Sequence, residues 1–196
     1  MPYSKLIIFF LNFLDFFQQK KIIKKLNKIF NKPIVVFDIG AHHGETVKLF
    51  VKKLKIKKIY SFEASPKNYE ILKNNSKKYP SEKLEIFNFG IGNEILAGYI
   101  NQTSESSSST INELNNNSKY FKRKLKILNV KNKESFSKKI PIKLITLDNF
   151  IEKNRIENID LLKIDTEGFE LKVIKGLEKN HHMVQYIYFE HHYDDM

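Results

Sequence analysis

Residues 35–50 read VVFDIGAHHGETVKLF. Val35, Val36 and Phe37, preceded by Ile34, make an apolar and mostly β-branched run into Asp38, and Gly40 and Gly44 then bracket a short polar turn before helix-favouring residues resume. The stretch predicts a buried strand, a glycine-bearing turn and a helix whose first amide groups face whatever the turn holds. Dinucleotide sites share this plan but use G-x-G-x-x-G to approach a pyrophosphate. Here the spacing is G-A-x-x-G, and an acidic side chain stands two residues before the first glycine, where it would repel phosphate. Asp38 would instead pair with an ammonium or accept from hydroxyls. S-adenosylmethionine offers amino-acid and ribose groups and carries no phosphate.

The next predicted strand agrees. IYSFEASP (59–66) places Glu63 nineteen residues after Gly44, at a strand end. A carboxylate there is suited to two ribose hydroxyls. Ser65-Pro66 then opens a helix, with proline at the tolerated first-turn position. Asp38, Gly40, Ala41, His42, Gly44, Glu63 and Ala64 are therefore candidate cofactor-binding residues, with Gly90 in NFGIGN either lining the adenine pocket or making a plain turn.

Strand candidates at 34–39, 57–63, 84–89, 140–146, 160–165 and 184–190 alternate with helical stretches at 44–54, 66–78, 147–155 and 169–179. That alternation, with strands as apolar as IVVF and LLKI, predicts an α/β domain with a mainly parallel sheet and helices on both faces. Residues 93–140 break the rhythm. NQTSESSSSTINELNNNS (101–118) is polar and low in complexity, and the region is expected to be a loop or insertion over the sheet edge.

Residues 1–32 form a separate N-terminal extension, and 33–196 the main domain. LIIFFLNFLDFF (6–17) is apolar in ten of twelve positions but too short to span a bilayer. Only Lys5 precedes it and no small-residue cleavage site follows, so a removed signal is not expected. Ile22, Ile23, Leu26, Ile29 and Phe30 recur at helical spacing among lysines, and Pro33 closes the segment. This extension either packs on the domain or lies on an anionic membrane surface as a peripheral contact.

The net charge of +12 invites a nucleic-acid reading. The basic residues are nearly all lysine, with Arg123 and Arg155 the arginines, and they are spread along the chain. No specific nucleic-acid partner is expected. The absence of cysteine excludes disulfides, thiolate metal sites and a cysteine nucleophile, and suits a cytoplasmic protein.

Taken together, FDIGAHHGET, YSFEASPKNYEIL, PIKLITLDNFI and DLLKIDTEGFELKVIKGL resemble the FkbM-type methyltransferases, and YIYFEHH is similar to the strand that follows in them. The resemblance covers about residues 34–192, with Lys163 to Gly168 its most specific piece. It implies a class I, Rossmann-like S-adenosylmethionine-dependent fold and methyl transfer to a hydroxyl oxygen of a sugar or small metabolite. That fold ordinarily closes with an antiparallel strand hairpin. The chain ends at Met196 after the fifth parallel strand, so the hairpin is expected to be lacking and the domain truncated at its C-terminus.

Ligands of open α/β sheets sit beyond the carboxyl ends of the strands. Lys163, Asp165, Glu167, Glu190 and His191 are the candidate catalytic residues there. Lys163 and Asp165 share one side of a strand by its two-residue period, and a buried lysine calls for a partner. Glu167 can also be read as a helix N-terminal cap. Asp165 and Glu190 are expected to face one crevice, as a base pair of carboxylates or, less favoured, as a magnesium site. His191 and His192 point to opposite sides of a strand and are not expected to share a metal. The competing classes are a nicotinamide-dependent oxidoreductase, which would want a third glycine where Glu45-Thr46 stands, a nucleic-acid methyltransferase, and a non-catalytic cofactor-binding domain. The acceptor and the oligomeric state are not legible.

Overall fold

The computed structural model describes residues 19–103, 109–113, 118, 122–123, 125–126 and 136–189. A helix, α1, runs through residues 19–29. Then follow β1 (Ile34–Ile39), α2 (Glu45–Lys53), β2 (Ile56–Phe62), α3 (Pro66–Ser76), β3 (Leu84–Phe87), β4 (Gly90–Ile91), β5 (Leu96–Thr103) and β6 (Ser137–Ile145). The chain continues through α4 (Leu147–Asn154), β7 (Ile159–Ile164), α5 (Glu170–Lys175), a 3-10 turn (His181–Met183) and β8 (Val184–Phe189).

Five strands form one parallel sheet in the order β3-β2-β1-β7-β8. All six residues of β1 and all six of β7 are buried, as central strands covered on both faces require. The two-residue period divides β1 between two cores. Ile34 and Val36 pack with Ile23, Leu26 and Phe30 of α1 and with Val47 and Phe50 of α2. Val35, Phe37 and Ile39 pack on the other face with Phe150 and Ile151 of α4 and with Ile100, Ile142 and Leu144 of a second sheet.

That second sheet, of order β4-β6-β5, corrects two expectations. The predicted strand at 140–146 does form, within β6, but outside the parallel sheet. The first part of the expected insertion is not loop: Leu96–Thr103 is an eight-residue strand, antiparallel to β6 from Leu96↔Leu144 to Thr103↔Ser137. Its apolar residues are sparse because it is an edge strand, with Leu96 and Tyr99 exposed and Ile100 buried. Helices cover both faces of the parallel sheet as expected, and on one of them the second sheet shares the cover with α4 and α5.

The chain leaves β1 toward β2 and β3, then returns to the other side of β1 to make β7 and β8. This reversal opens a crevice beyond the carboxyl ends of β1 and β7.

Candidate active site at the strand ends

Asp38 lies near the end of β1, in register with Lys163 on β7. Both are enclosed: Asp38 is 0% and Lys163 5% exposed. The lysine Nζ stands 3.2 Å from Asp38 Oδ1 and 3.3 Å from Asp165 Oδ2, and donates to the Gly40 carbonyl at 3.3 Å. Burial disfavours the ammonium, but Asp38 and Asp165 outweigh it and hold Lys163 above the ordinary lysine range. The ammonium expected to meet Asp38 from a ligand is therefore supplied by the chain itself. The Asp165 side chain is 33% exposed and forms the open end of this array.

The turn after β1 is tied to the end of β2. The Gly40 and Ala41 amides both donate to the Phe62 carbonyl, and the His42 amide to Glu63 Oε2 at 2.8 Å. The other Glu63 oxygen accepts from the Ser65 amide at 2.8 Å. Glu63 thus clasps both loops, and burial pushes its carboxyl up to about 7. Each oxygen keeps acceptor capacity beyond its single amide. Gly40 has φ +80°, and a Cβ there would lie 1.8 Å from the Asp165 carbonyl oxygen, so no other residue lets β7 approach this closely. Gly44, at φ +91°, starts α2 against Leu72 of α3. The predicted start of α3 holds, with Ser65 accepting from the Asn68 amide and proline following it.

Ala41 is buried within the turn, while His42 and His43 are partly exposed. Their rings stack at 3.7 Å, and both Nδ1 atoms face Glu45 Oε1, at 3.4 and 3.8 Å. Burial raises the Glu45 carboxyl, but the His42 contact and the local amide hold it at about 2. Ligand atoms of these three residues lie within 4.8 Å of one another. The ring planes are only 20° apart, so their lone pairs run side by side without converging on one ion.

Beyond β7 the structure amends the reading of Glu167. It has φ +52° and lies before α5, which begins at Glu170, so it does not cap that helix. The carboxylate that gathers the loop is Glu170, whose Oε1 accepts from the Thr166 amide, the Thr166 hydroxyl and the Gly168 amide. The polar insertion reaches this loop too. Thr110 donates to the Glu167 carbonyl at 2.8 Å and Asn112 to the Gly168 carbonyl at 2.7 Å, while Asn101 of β5 holds the Asn112 carbonyl. Sequence reasoning missed Glu170, Thr110 and Asn112. Glu167 and Glu170 both sit near a helix start, and a polar run carries no periodicity that selects two of its members.

Gly90 is no plain turn: it begins β4, opposite Leu144, and a Cβ there would meet that side chain at 2.5 Å and the Ala64 Cβ at 3.3 Å. Ala64 lines a neighbouring groove of about 610 Å³ with Pro66, Asn88, Ile95 and Pro141. Glu190 and His191, with His192, lie outside the described residues, so the expected meeting of Asp165 with Glu190 is left as an expectation.

The parallel sheet and its reversal at β1 agree with the class I, Rossmann-like methyltransferase arrangement. A methyltransferase FkbM from Methylobacillus flagellatus KT is similar in structure at a TM-score of 0.47 and 16% identity, over 76% of this chain and 30% of that one. M. capricolum TrmK, solved in complex with S-adenosyl-homocysteine, is similar at a TM-score of 0.38 and 16% identity, over 83% of this chain and 47% of that one. This chain therefore spans less than half the length of either. No curated protein matches it. The family model for the methyltransferase FkbM domain matches residues 38–195. Because that match spans most of the sequence, the chain belongs to the FkbM methyltransferase family.

Proposed function

We propose that the domain binds S-adenosylmethionine and transfers its methyl group to a hydroxyl oxygen of a small molecule such as a saccharide. The observation that carries this reading is the clasp of the Gly40–Gly44 turn by Glu63 across the ends of β1 and β2. The residues present fit the cofactor. The turn is stripped of side chains at Gly40 and Gly44, and a buried carboxylate with spare acceptor capacity adjoins it. Glu63 would hold the ribose hydroxyls, Ala41, His42 and Gly44 would flank the amino-acid end, and Ala64 and Gly90 would border the base.

When bound, S-adenosylmethionine supplies an electrophilic methyl on a sulfonium centre. The chain's part is to align the acceptor with it and to deal with the hydroxyl proton. Asp165, at the rim of the crevice, accepts that proton. Asp38 and Lys163 act beneath it as positioning residues, since the ammonium orients Asp165 and grips the Gly40 carbonyl. Glu167 stands on the same loop. The Lys163 ammonium already balances part of the Asp165 charge, which favours a metal-free route over magnesium.

Titration calorimetry with S-adenosylhomocysteine and with a nicotinamide dinucleotide tests the cofactor. Binding of the first and not the second is expected, and tighter binding of the second would overturn the reading. Asp165→Asn is expected to keep cofactor affinity while lowering turnover on hydroxyl acceptors by about a hundredfold. Parental turnover in that variant would make Asp165 structural.

A further inference from the structure

Helix α1 buries Ile23, Leu26 and Phe30 against β1, α2 and β8, the last through an edge-on contact between Phe30 and Tyr186. Its apolar stripe is therefore occupied by the domain itself, and α1 cannot lie apolar-side-down on a bilayer without leaving the core. The opposite side is another matter. Lys21, Lys24, Lys25 and Lys28 follow the i, i+3, i+4, i+7 pattern that puts four side chains on one helical face, and all four are exposed.

Tertiary structure enlarges this face. Asn27 donates to the Lys53 carbonyl, and the Lys55 ammonium to the Asn31 carbonyl, so α1 runs beside the end of α2 and brings Lys52, Lys53 and Lys55 to its flank. Neither contributing stretch, 16–37 or 46–62, contains an acidic residue. Among the described residues no carboxylate pairs with Lys21, Lys24, Lys25, Lys28, Lys52 or Lys53. Such a field attracts polyanions within about a Debye length, roughly 8 Å at physiological salt.

The class of polyanion is decided by what the face lacks and what precedes it. Among the described residues, α1 and α2 carry no arginine fork for bases or phosphates, and their one aromatic, Phe50, is buried and unable to stack on a base. Directly upstream, residues 6–17 are apolar in ten of twelve positions, and an apolar run joined to a lysine cluster is the two-signal combination that holds a protein on an anionic leaflet. We infer that the lysine face of α1 and the end of α2 docks this domain on a bilayer rich in anionic phospholipid. The inference does not depend on the methyl-transfer reading.

Co-sedimentation of the full chain with vesicles of phosphatidylcholine, with and without about 30% phosphatidylglycerol, tests it. Binding is expected only to the anionic vesicles, and is expected to be lost when salt is raised from about 0.1 to about 0.5 M. The double variant Lys24→Glu/Lys28→Glu should lower partitioning at least about twentyfold. Lys138→Glu/Lys139→Glu, on exposed β6 positions, should leave it near the parent value, with circular dichroism confirming that both variants fold. Four results would overturn the proposal: no vesicle binding; equal binding to neutral vesicles; equal loss in the two double variants; or displacement from the vesicles by a nucleic-acid duplex at matched charge.

Discussion

Asp38 and Asp160 are buried carboxylates on neighbouring central strands, at opposite ends of the sheet. Asp160, at the amino end of β7, accepts from the Val35 amide at 2.7 Å and from Asn158 at 3.0 Å, with the exposed Lys32 ammonium 3.9 Å away. It serves the backbone, fastening the start of β1 to β7. Among the described residues no backbone amide donates to the Asp38 carboxylate, which is held by a buried ammonium that also reaches Asp165 and the Gly40 carbonyl. The first arrangement is a strap made of hydrogen bonds. The second is a charged array whose third member opens to solvent. An array of this kind is weak evidence for stability, because desolvation of its members offsets much of their attraction. Its placement at the switch point of the sheet is why we propose a functional role for it.

The comparison breaks or holds on Lys163→Met first. The variant leaves Asp38 buried and uncompensated, and a loss of about 3–5 kcal/mol is expected in urea denaturation. Adding Asp38→Asn should restore at least about 2 kcal/mol of it. No restoration would mean that Lys163 supports the fold through packing alone.

Asp160→Ala should cost about 1–3 kcal/mol by stranding the Val35 amide, with S-adenosylhomocysteine affinity unchanged by calorimetry. A matching fall in affinity would show that the two sheet ends are not separable.

Glu63 sharpens the picture through pH. Its folded value of about 7 stands above the ordinary 4.5, so the folded domain binds a proton there that the unfolded chain releases. The stability contributed by this group is present at low pH and is lost as pH rises through 7. Hydroxyls donating to the carboxylate favour its ionised form, so cofactor binding should release a proton and weaken by up to about tenfold per pH unit below 7. Calorimetry in buffers of different ionisation enthalpy reads the proton directly. Glu63→Gln should flatten the profile, and an unchanged pH dependence would assign it to another group.

The smallest effect is expected from Asn112→Ala. Loss of its bond to the Gly168 carbonyl should lower stability by about 1 kcal/mol. A larger fall in turnover than in stability would show that the insertion shapes the loop bearing Asp165 and Glu167.

Local signals in the sequence were sufficient where burial and covalent neighbours act together. The largely apolar runs of β1 and β7, the Ser65-Pro66 helix start and the glycine turn each carry their own reason in adjacent residues. The same holds for the pairing demand of Lys163, since a cation in a central strand must find a carboxylate. Strand β5 escaped notice because an edge strand with exposed Leu96 and Tyr99 lacks a continuous buried face. Which carboxylates Lys163 meets, and that Glu170 and not Glu167 gathers the loop after β7, depend on register and on the left-handed turn at Glu167. The reach of Thr110 and Asn112 to that loop spans more than fifty residues of sequence. Side-chain type and spacing determined the strands of the parallel sheet, the turn and most of the residues able to act. Only the packing of β1 beside β7, and of the second sheet over them, decided which of those residues touch, because hydrogen bonds and ion pairs form over a few ångströms of space whatever their separation along the chain.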